Sequence, residues 1–240
     1  MELHQLFIVL LDISGYTQFI KRHRTSLLHA ERIISALMES VVDKSEYPLQ
    51  LNKLEGDAAL LYAISDGSSA AARDILGQVR RAFDAFYKRQ AGLVEHNTCP
   101  CDACTRIQTL DLKAILHHGE AAIKKFRRFE ELAGENVILA HRLLKNSVAR
   151  KEYVLMSDPF FRLLGGLPGE ALESRTEQAE GLGSVKVFVQ YPNHNEHAPE
   201  VQAPQGKPGM LTFAQSAGLL AHMLLRWLGL RKAAFRNLPA

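Results

Sequence analysis

A chain of 240 residues, 47% apolar and 23% charged, has the balance of an ordinary globular protein with room for one large domain, or one domain plus appendages. Its 29 Lys and Arg against 26 Asp and Glu leave a net charge of only +3, which gives no argument for a nucleic-acid partner. The three cysteines are an odd number clustered at Cys99, Cys101 and Cys104, a pattern that argues against a disulfide framework and for a reducing compartment. The opening stretch carries Glu2 and Asp12 around a short apolar run, unlike a secretory leader, so a cytoplasmic protein is expected.

His4–Asp12 is continuous, β-branched and apolar, and ends at Ser14-Gly15; it predicts a buried strand. From Thr25 to Lys44, Leu28, Ile33, Ile34, Leu37, Met38 and Val41 recur with a helical period. Leu49–Ile64 reads as two short strands broken at Glu55-Gly56-Asp57, a tight hairpin. Ser68–Gln90 predicts a second amphipathic helix, with Ile75, Val79, Phe83 and Phe86 on one stripe. Gly92–Gln108 is too polar and broken for either period and reads as a loop, Cys-rich over residues 95–105. Thr109–Phe126 reads as a pair of strands around His118-Gly119, and Gly134–Ser147 as a helix with Val137, Leu139, Ala140, Leu143 and Leu144 apolar. Glu152–Met156 and Gly183–Pro192 look like further strands. This order predicts an α+β fold of the ferredoxin-like kind, a mostly antiparallel sheet with helices packed on one face. The expected domain spans residues 1–191. Residues 192–209, rich in Pro, Asn and Gln, form a linker, and 210–240 a C-terminal helix.

A bare carboxylate ending a buried strand is costly unless something positive meets it. Asp12, leaving the first strand, and Asp57, in the hairpin turn, are expected at one end of the sheet. Two carboxylates there repel unless a cation sits between them, and hard, oxygen-preferring Mg²⁺ or Mn²⁺ answers that need. The competing readings are a helix N-cap for Asp12 and an ordinary Gly-Asp turn for Asp57. His96, Cys99, Cys101 and Cys104 offer a Cys₃His set suited to Zn²⁺, although four ligands within nine residues are tightly spaced; free thiols around Pro100 are the alternative. No motif ties these cysteines to the two aspartates.

Four stretches carry a resemblance. LLDISGYTQF is similar to the first-strand motif F-x-D-I-x-G-F-T-x-F of class III nucleotidyl cyclases, and KLEGDAALLYA to their K-x-x-G-D-x-x-M-A hairpin. LKAILHHGEA resembles their I-x-I-G-I-H-x-G strand, and ELAGENVILAHRL matches the spacing of their D-x-x-G-x-x-V-N-x-A-x-R helix entry. The four occur in the same order across residues 5–150, and GLGSVKVFV resembles the closing hairpin. A nearer likeness is to a bacterial cyclase-like family that carries the small Cys cluster.

The resemblance implies the nucleotidyl cyclase fold and a head-to-tail homodimer with active sites at the interface. It implies conversion of a nucleoside triphosphate, ATP foremost, to its 3′,5′-cyclic monophosphate and pyrophosphate. It makes Asp12 and Asp57 ligands of Mg²⁺ or Mn²⁺, with the Ile13 carbonyl assisting. Ser14, Gly15, Tyr16, Thr17 and Gly56 become triphosphate-binding residues, Lys53 and Glu131 the purine-reading pair, and Arg142 the guanidinium on the reacting phosphate. Two positions depart from the pattern: Ile138 stands where an Asn is expected and Leu182 where a phosphate-binding Lys is expected. A catalytically degenerate module that binds nucleotide or a protein partner is the alternative. In Leu211–Leu230, Gln215, His222 and Arg226 form a polar stripe and Arg231, Lys232 and Arg236 follow. A helix lying on a membrane surface, docking into a partner or folding back on the domain fits that stripe better than one that spans a bilayer.

Overall fold

Strand β1 (Glu2–Ser14) is apolar without interruption from Leu6 to Leu11 because both of its sides are buried. In the computed structural model, which describes residues 2–22, 27–127 and 129–192, β1 is followed by α1 (Tyr16–Arg22) and α2 (Leu27–Val42). The hairpin β2 (Gln50–Glu55) and β3 (Ala58–Ile64) comes next, then α3 (Ser69–Glu95), the short α4 (Asp102–Thr105) and a 3-10 turn, Ile107–Thr109. The second half comprises β4 (Asp111–Phe126), β5 (Phe129–Ala133), α5 (Glu135–Leu143), β6 (Tyr153–Ser157), α6 (Asp158–Leu164), β7 (Glu173–Ala179) and β8 (Gly183–Gln190). The expected C-terminal helix, and all but the first residue of the linker, lie outside the described residues. Among the described residues, no helix is long and apolar enough to cross a membrane.

The eight strands form one sheet in the order β2-β3-β1-β4-β6-β8-β7, with β5 paired to the far part of β4. Every pairing is antiparallel except β4 with β6. Phe7, Val9, Leu11 and Ile13 turn to a large core shared with α2, α3 and α6. Leu6, Ile8 and Leu10 turn to a second core with Val137, Ala140 and Leu143 of α5. The fold is therefore α+β as expected, but helices cover both faces rather than one. The unbroken apolar run of β1 is the sequence mark of a strand buried on both sides.

Three local expectations change. Thr109–Phe126 is not a strand pair broken at His118-Gly119: β4 is one strand of 16 residues, with Gly119 paired to Leu6 in its middle. The glycine is there for space, since a Cβ at 119 would lie 2.5 Å from Asn136 Cγ. Helix α3 runs to Glu95, past the expected end at Gln90. Its buried Gln90 side chain donates to the carbonyls of Ile107 and Leu110 (3.1 and 2.6 Å) and docks the following loop. The loop itself folds into α4 and the 3-10 turn. Helix α6 was not read from the sequence; it has Ser157-Asp158-Pro159 at its start and Gly165 at its left-handed end, the usual punctuation of a short helix.

Candidate functional site

Asp12 continues the inward series Leu6, Ile8, Leu10, two residues further along β1. It pairs with Ala58 of β3 and Lys113 of β4, placing a carboxylate and an ammonium on the same face. The Lys113 Nζ sits 2.8 Å from Asp12 Oδ2 and donates to the Leu144 carbonyl at 3.3 Å. Both side chains are mostly buried, at 19% and 14% exposure, so this ion pair is screened far less than a surface one. Asp57 enters from the two-residue β2–β3 turn, where its carbonyl accepts the Ile13 N–H at 3.0 Å. Burial, then the negative charge of Asp12, push the Asp57 carboxyl up to about 6; Lys113 offsets only part of this. The charge at the end of β1 is thus one half of a carboxylate pair, not a helix cap.

These groups open onto a cavity of about 300 Å³ lined by Asp12, Ile13, Ser14, Gly15, Tyr16, Thr17, Gln18, Asp57, Lys113 and Lys151. Ser14 Oγ donates to the Lys151 carbonyl at 2.8 Å, tying the end of β1 to the approach of β6. Gly15 adopts φ of 93°, a left-handed value that glycine tolerates without strain. Tyr16 donates to Glu31 on α2 at 3.2 Å. All the exposed donors suited to a metal here are oxygen. A carboxyl raised by its burial and by a neighbouring carboxylate despite a lysine carries an unmet demand for positive charge. On both counts the residues fit a hard divalent cation.

The remaining expected site residues stand outside the cavity lining. Lys53, on β2, is 2.7 Å from Glu55, whose other oxygen lies 3.6 Å from His141 Nδ1 of α5. Arg142 meets Glu180 at 2.6 Å in an exposed pair, and Glu131 lies opposite Lys124 on the exposed part of β5. Gly56 forms the hairpin turn. Ile138 projects outward from α5 with 52% exposure, and Leu182 sits in the β7–β8 turn, its N–H bonded to Ala179. Lys113 was missed by sequence reasoning, because one of the three lysines of β4 stands out only once the register with Asp12 is known.

Further along β4, buried His117 is kept below the ordinary imidazole range by its burial. Its Nδ1 lies 2.8 Å from Ser157 Oγ and its Nε2 2.8 Å from Asn136 Oδ1, while Asn136 Nδ2 donates to the Glu120 carbonyl at 2.8 Å. His117 and Gly119 of the H-x-G motif therefore act together: one binds Asn136 and the other makes room for it.

The Cys-rich loop differs in one ligand from its sequence reading. The sulfurs of Cys99, Cys101 and Cys104 converge on the Nδ1 of His29, at 3.5, 3.5 and 3.7 Å. His96 is not in the group; its Nδ1 is bound to the Gly92 carbonyl at 2.8 Å, because it caps the end of α3. His29, in the first turn of α2, is 70 residues upstream of Cys99, and no spacing rule points to it.

Sheet order and two-faced packing give the protein a fold that comparison with solved structures makes explicit, that of nucleotidyl cyclase catalytic domains. The chain is similar to the adenylyl cyclase CyaB from P. aeruginosa (16% identity, TM-score 0.58), over 79% of this chain and 94% of that one. It is also similar to the guanylate cyclase domain of RhGC from Catenaria anguillulae in complex with GTP (14% identity, TM-score 0.52), over 79% and 98%. At these identities the likeness is one of fold. The protein itself belongs to the family described as "Protein of unknown function (DUF2652)", which matches residues 34–153. It is 35% identical over 152 residues to "Uncharacterized protein Rv2561/Rv2562" of Mycobacterium tuberculosis, covering 63% of this chain and 70% of that protein.

Proposed function

We propose that the protein is a metal-dependent nucleotidyl cyclase, converting a nucleoside triphosphate, with ATP preferred, to its 3′,5′-cyclic monophosphate and pyrophosphate. The observation that carries this reading is the Asp12–Asp57 pair, two carboxylates that line one cavity walled by the turn after β1. Asp12, Asp57 and the Ile13 carbonyl would hold Mg²⁺ or Mn²⁺. Such an ion acidifies the ribose 3′-hydroxyl and neutralises phosphate charge. In the reaction the 3′-oxygen forms a bond to the α-phosphorus, the bridging α–β oxygen leaves with pyrophosphate, and the hydroxyl proton passes to solvent.

The chain's own contribution is positioning and charge. Ser14 to Thr17 would face the phosphates, and Lys113, released from Asp12 as metal arrives, would supply a second positive charge to them. In the head-to-tail homodimer, Lys53 and Glu131 would read the purine and Arg142 would meet the transferring phosphate; its present partner Glu180 is 80% exposed and easily exchanged for phosphate. Exposed Phe129 and Ile138, on β5 and α5, are apolar surface that such a dimer would cover.

A second reading is favoured by one specific observation. Ile138 offers no hydrogen bond where a cyclase places an amide, so the site would bind nucleotide without turnover. Purified protein incubated with Mn²⁺ and each of the four triphosphates separates the two. Cyclic product that disappears in Asp57→Ala supports the enzyme; nucleotide bound with no product in any reaction overturns it in favour of the binding module.

A further inference from the structure

Three sulfurs around one ring nitrogen call for an explanation that hydrogen bonding cannot give. The His29 Nδ1 has either one proton or one lone pair, so it serves one thiol at a time, yet it lies 3.5, 3.5 and 3.7 Å from three. A disulfide does not account for them either, since all three cysteines are free. A common centre does. Tetrahedral zinc with Zn–S of about 2.3 Å and Zn–N of about 2.0 Å requires nitrogen–sulfur separations of about 3.5 Å and sulfur–sulfur separations of about 3.8 Å. The four ligand atoms all lie within 4.8 Å of one another, a spread that accommodates this geometry.

We infer that His29, Cys99, Cys101 and Cys104 form a structural zinc site, a metal centre separate from the carboxylate pair and independent of the cyclase reading. The ligand set is closed, with four N and S donors and no place left for water, as in structural rather than catalytic zinc sites. Its support is built into the loop. Asn97 Oδ1 accepts the Cys99 N–H at 2.9 Å, and Asn97 Nδ2 donates to the Cys104 carbonyl at 3.1 Å. Cys101 and Cys104 are held one turn apart by α4, where the Thr105 N–H bonds the Cys101 carbonyl at 3.1 Å, and both pack against the main core. On binding, each thiol gives its proton to solvent and its sulfur to the metal.

The zinc would join the first turn of α2 to the loop after α3. Both partners reach the turn after β1. Glu31, two residues from His29, accepts the Tyr16 hydroxyl, and the Thr109 carbonyl lies 3.3 Å from where a Cβ on Gly15 would stand. The clip therefore steadies the wall of the cavity from behind.

Protein expressed in zinc-supplemented medium and purified without chelator tests this by elemental analysis. About one zinc per chain is expected, lost by about tenfold or more in His29→Ala and Cys101→Ser and retained in His96→Ala. His29→Cys, which substitutes a fourth thiolate, should restore zinc. Cobalt replacing zinc should give the intense visible absorption of a tetrahedral thiolate site. Circular dichroism of His29→Ala, changed at an exposed helical position, guards against loss through misfolding. Metal-free wild-type protein with three freely titrating thiols overturns the inference, as does zinc that survives His29→Ala and is lost in His96→Ala.

Discussion

The two clusters of metal-seeking side chains in this molecule are built on opposite plans. Asp12 and Asp57 come from a strand end and a hairpin turn, and the fold supplies their counter-charge through Lys113 at 2.8 Å. His29 and the three cysteines come from a helix turn and a loop with little core of its own, and their common centre is a single ring nitrogen. The first site is held by the sheet with or without an ion. The second is positioned by Asn97, α4 and packing on the main core, and the proposed zinc would join its four ligands. In the roles proposed for them, the first would bind and release substrate with its metal beside an internal lysine, and the second would be a permanent staple.

The largest expected effect breaks the comparison on the catalytic side. Asp57→Ala, or Asp12→Ala, should lower cyclic nucleotide formation by about 10³-fold or more, since loss of even one preorganised charge-stabilising group costs 10²–10³. Product assays with Mn²⁺ measure this, and unchanged turnover would remove the carboxylates from the chemistry. Next is the response to metal removal. Stripping zinc should lower the melting temperature by on the order of 10 °C, as loss of a tightly bound ligand does in a domain of this size, while omission of Mg²⁺ should barely move it. Thermal melts with a zinc-selective chelator and with no added Mg²⁺ give the two numbers; equal shifts would erase the distinction between staple and working site.

Lys113→Met should be destabilising by about 1–3 kcal/mol without divalent cation, because it leaves a largely buried carboxylate without its counter-charge. Added Mn²⁺ should restore most of the loss, and denaturant melts at several Mn²⁺ concentrations would show it. A variant equally unstable at all concentrations points to packing instead.

The smallest effect is in pH. Asp57 is raised to about 6 in the folded protein against 3.8 for an ordinary aspartate. Below the ordinary value both states hold the proton. As pH rises from about 4 to about 6 the unfolded chain gives it up first, so the folded state loses stability, and the full penalty stands above 6. Asp57→Asn lacks this penalty. Its melting temperature relative to wild type should climb across that window and then level off. Buried His117, whose lowered pKa acts in the opposite direction as pH falls, is present in both proteins and cancels. A difference that stays flat from pH 4 to 7 means the carboxylates do not interact.

How much of this was legible depends on the range of the interaction. Asp12, Asp57, Gly15 and Lys53 sit in local motifs whose order is preserved, and the hairpin turn and strand end were readable as such. Gly119 was readable as a glycine but not as a strand position, because its reason lies across space in the Asn136 side chain. Two-sided burial was written in the unbroken apolar run from Leu6 to Leu11, yet the run does not say which helix covers the second face. Strand β7, polar and paired only with β8, gives no periodic signal at all; its buried Glu177 is held by Ser147 and Arg175.

Sequence alone determined the first strand, the hairpin, the helical stretches of α2 and α3, the candidate carboxylates and the three clustered sulfurs, because each rests on neighbours within a few residues. Tertiary structure decided what completes them. Register across β1 and β4 brought Lys113 to Asp12, and packing of α2 beside the Cys-rich loop brought His29 to the sulfurs in place of His96. Such partners are fixed by which surfaces bury against one another, and burial, unlike spacing, is a property of the whole chain.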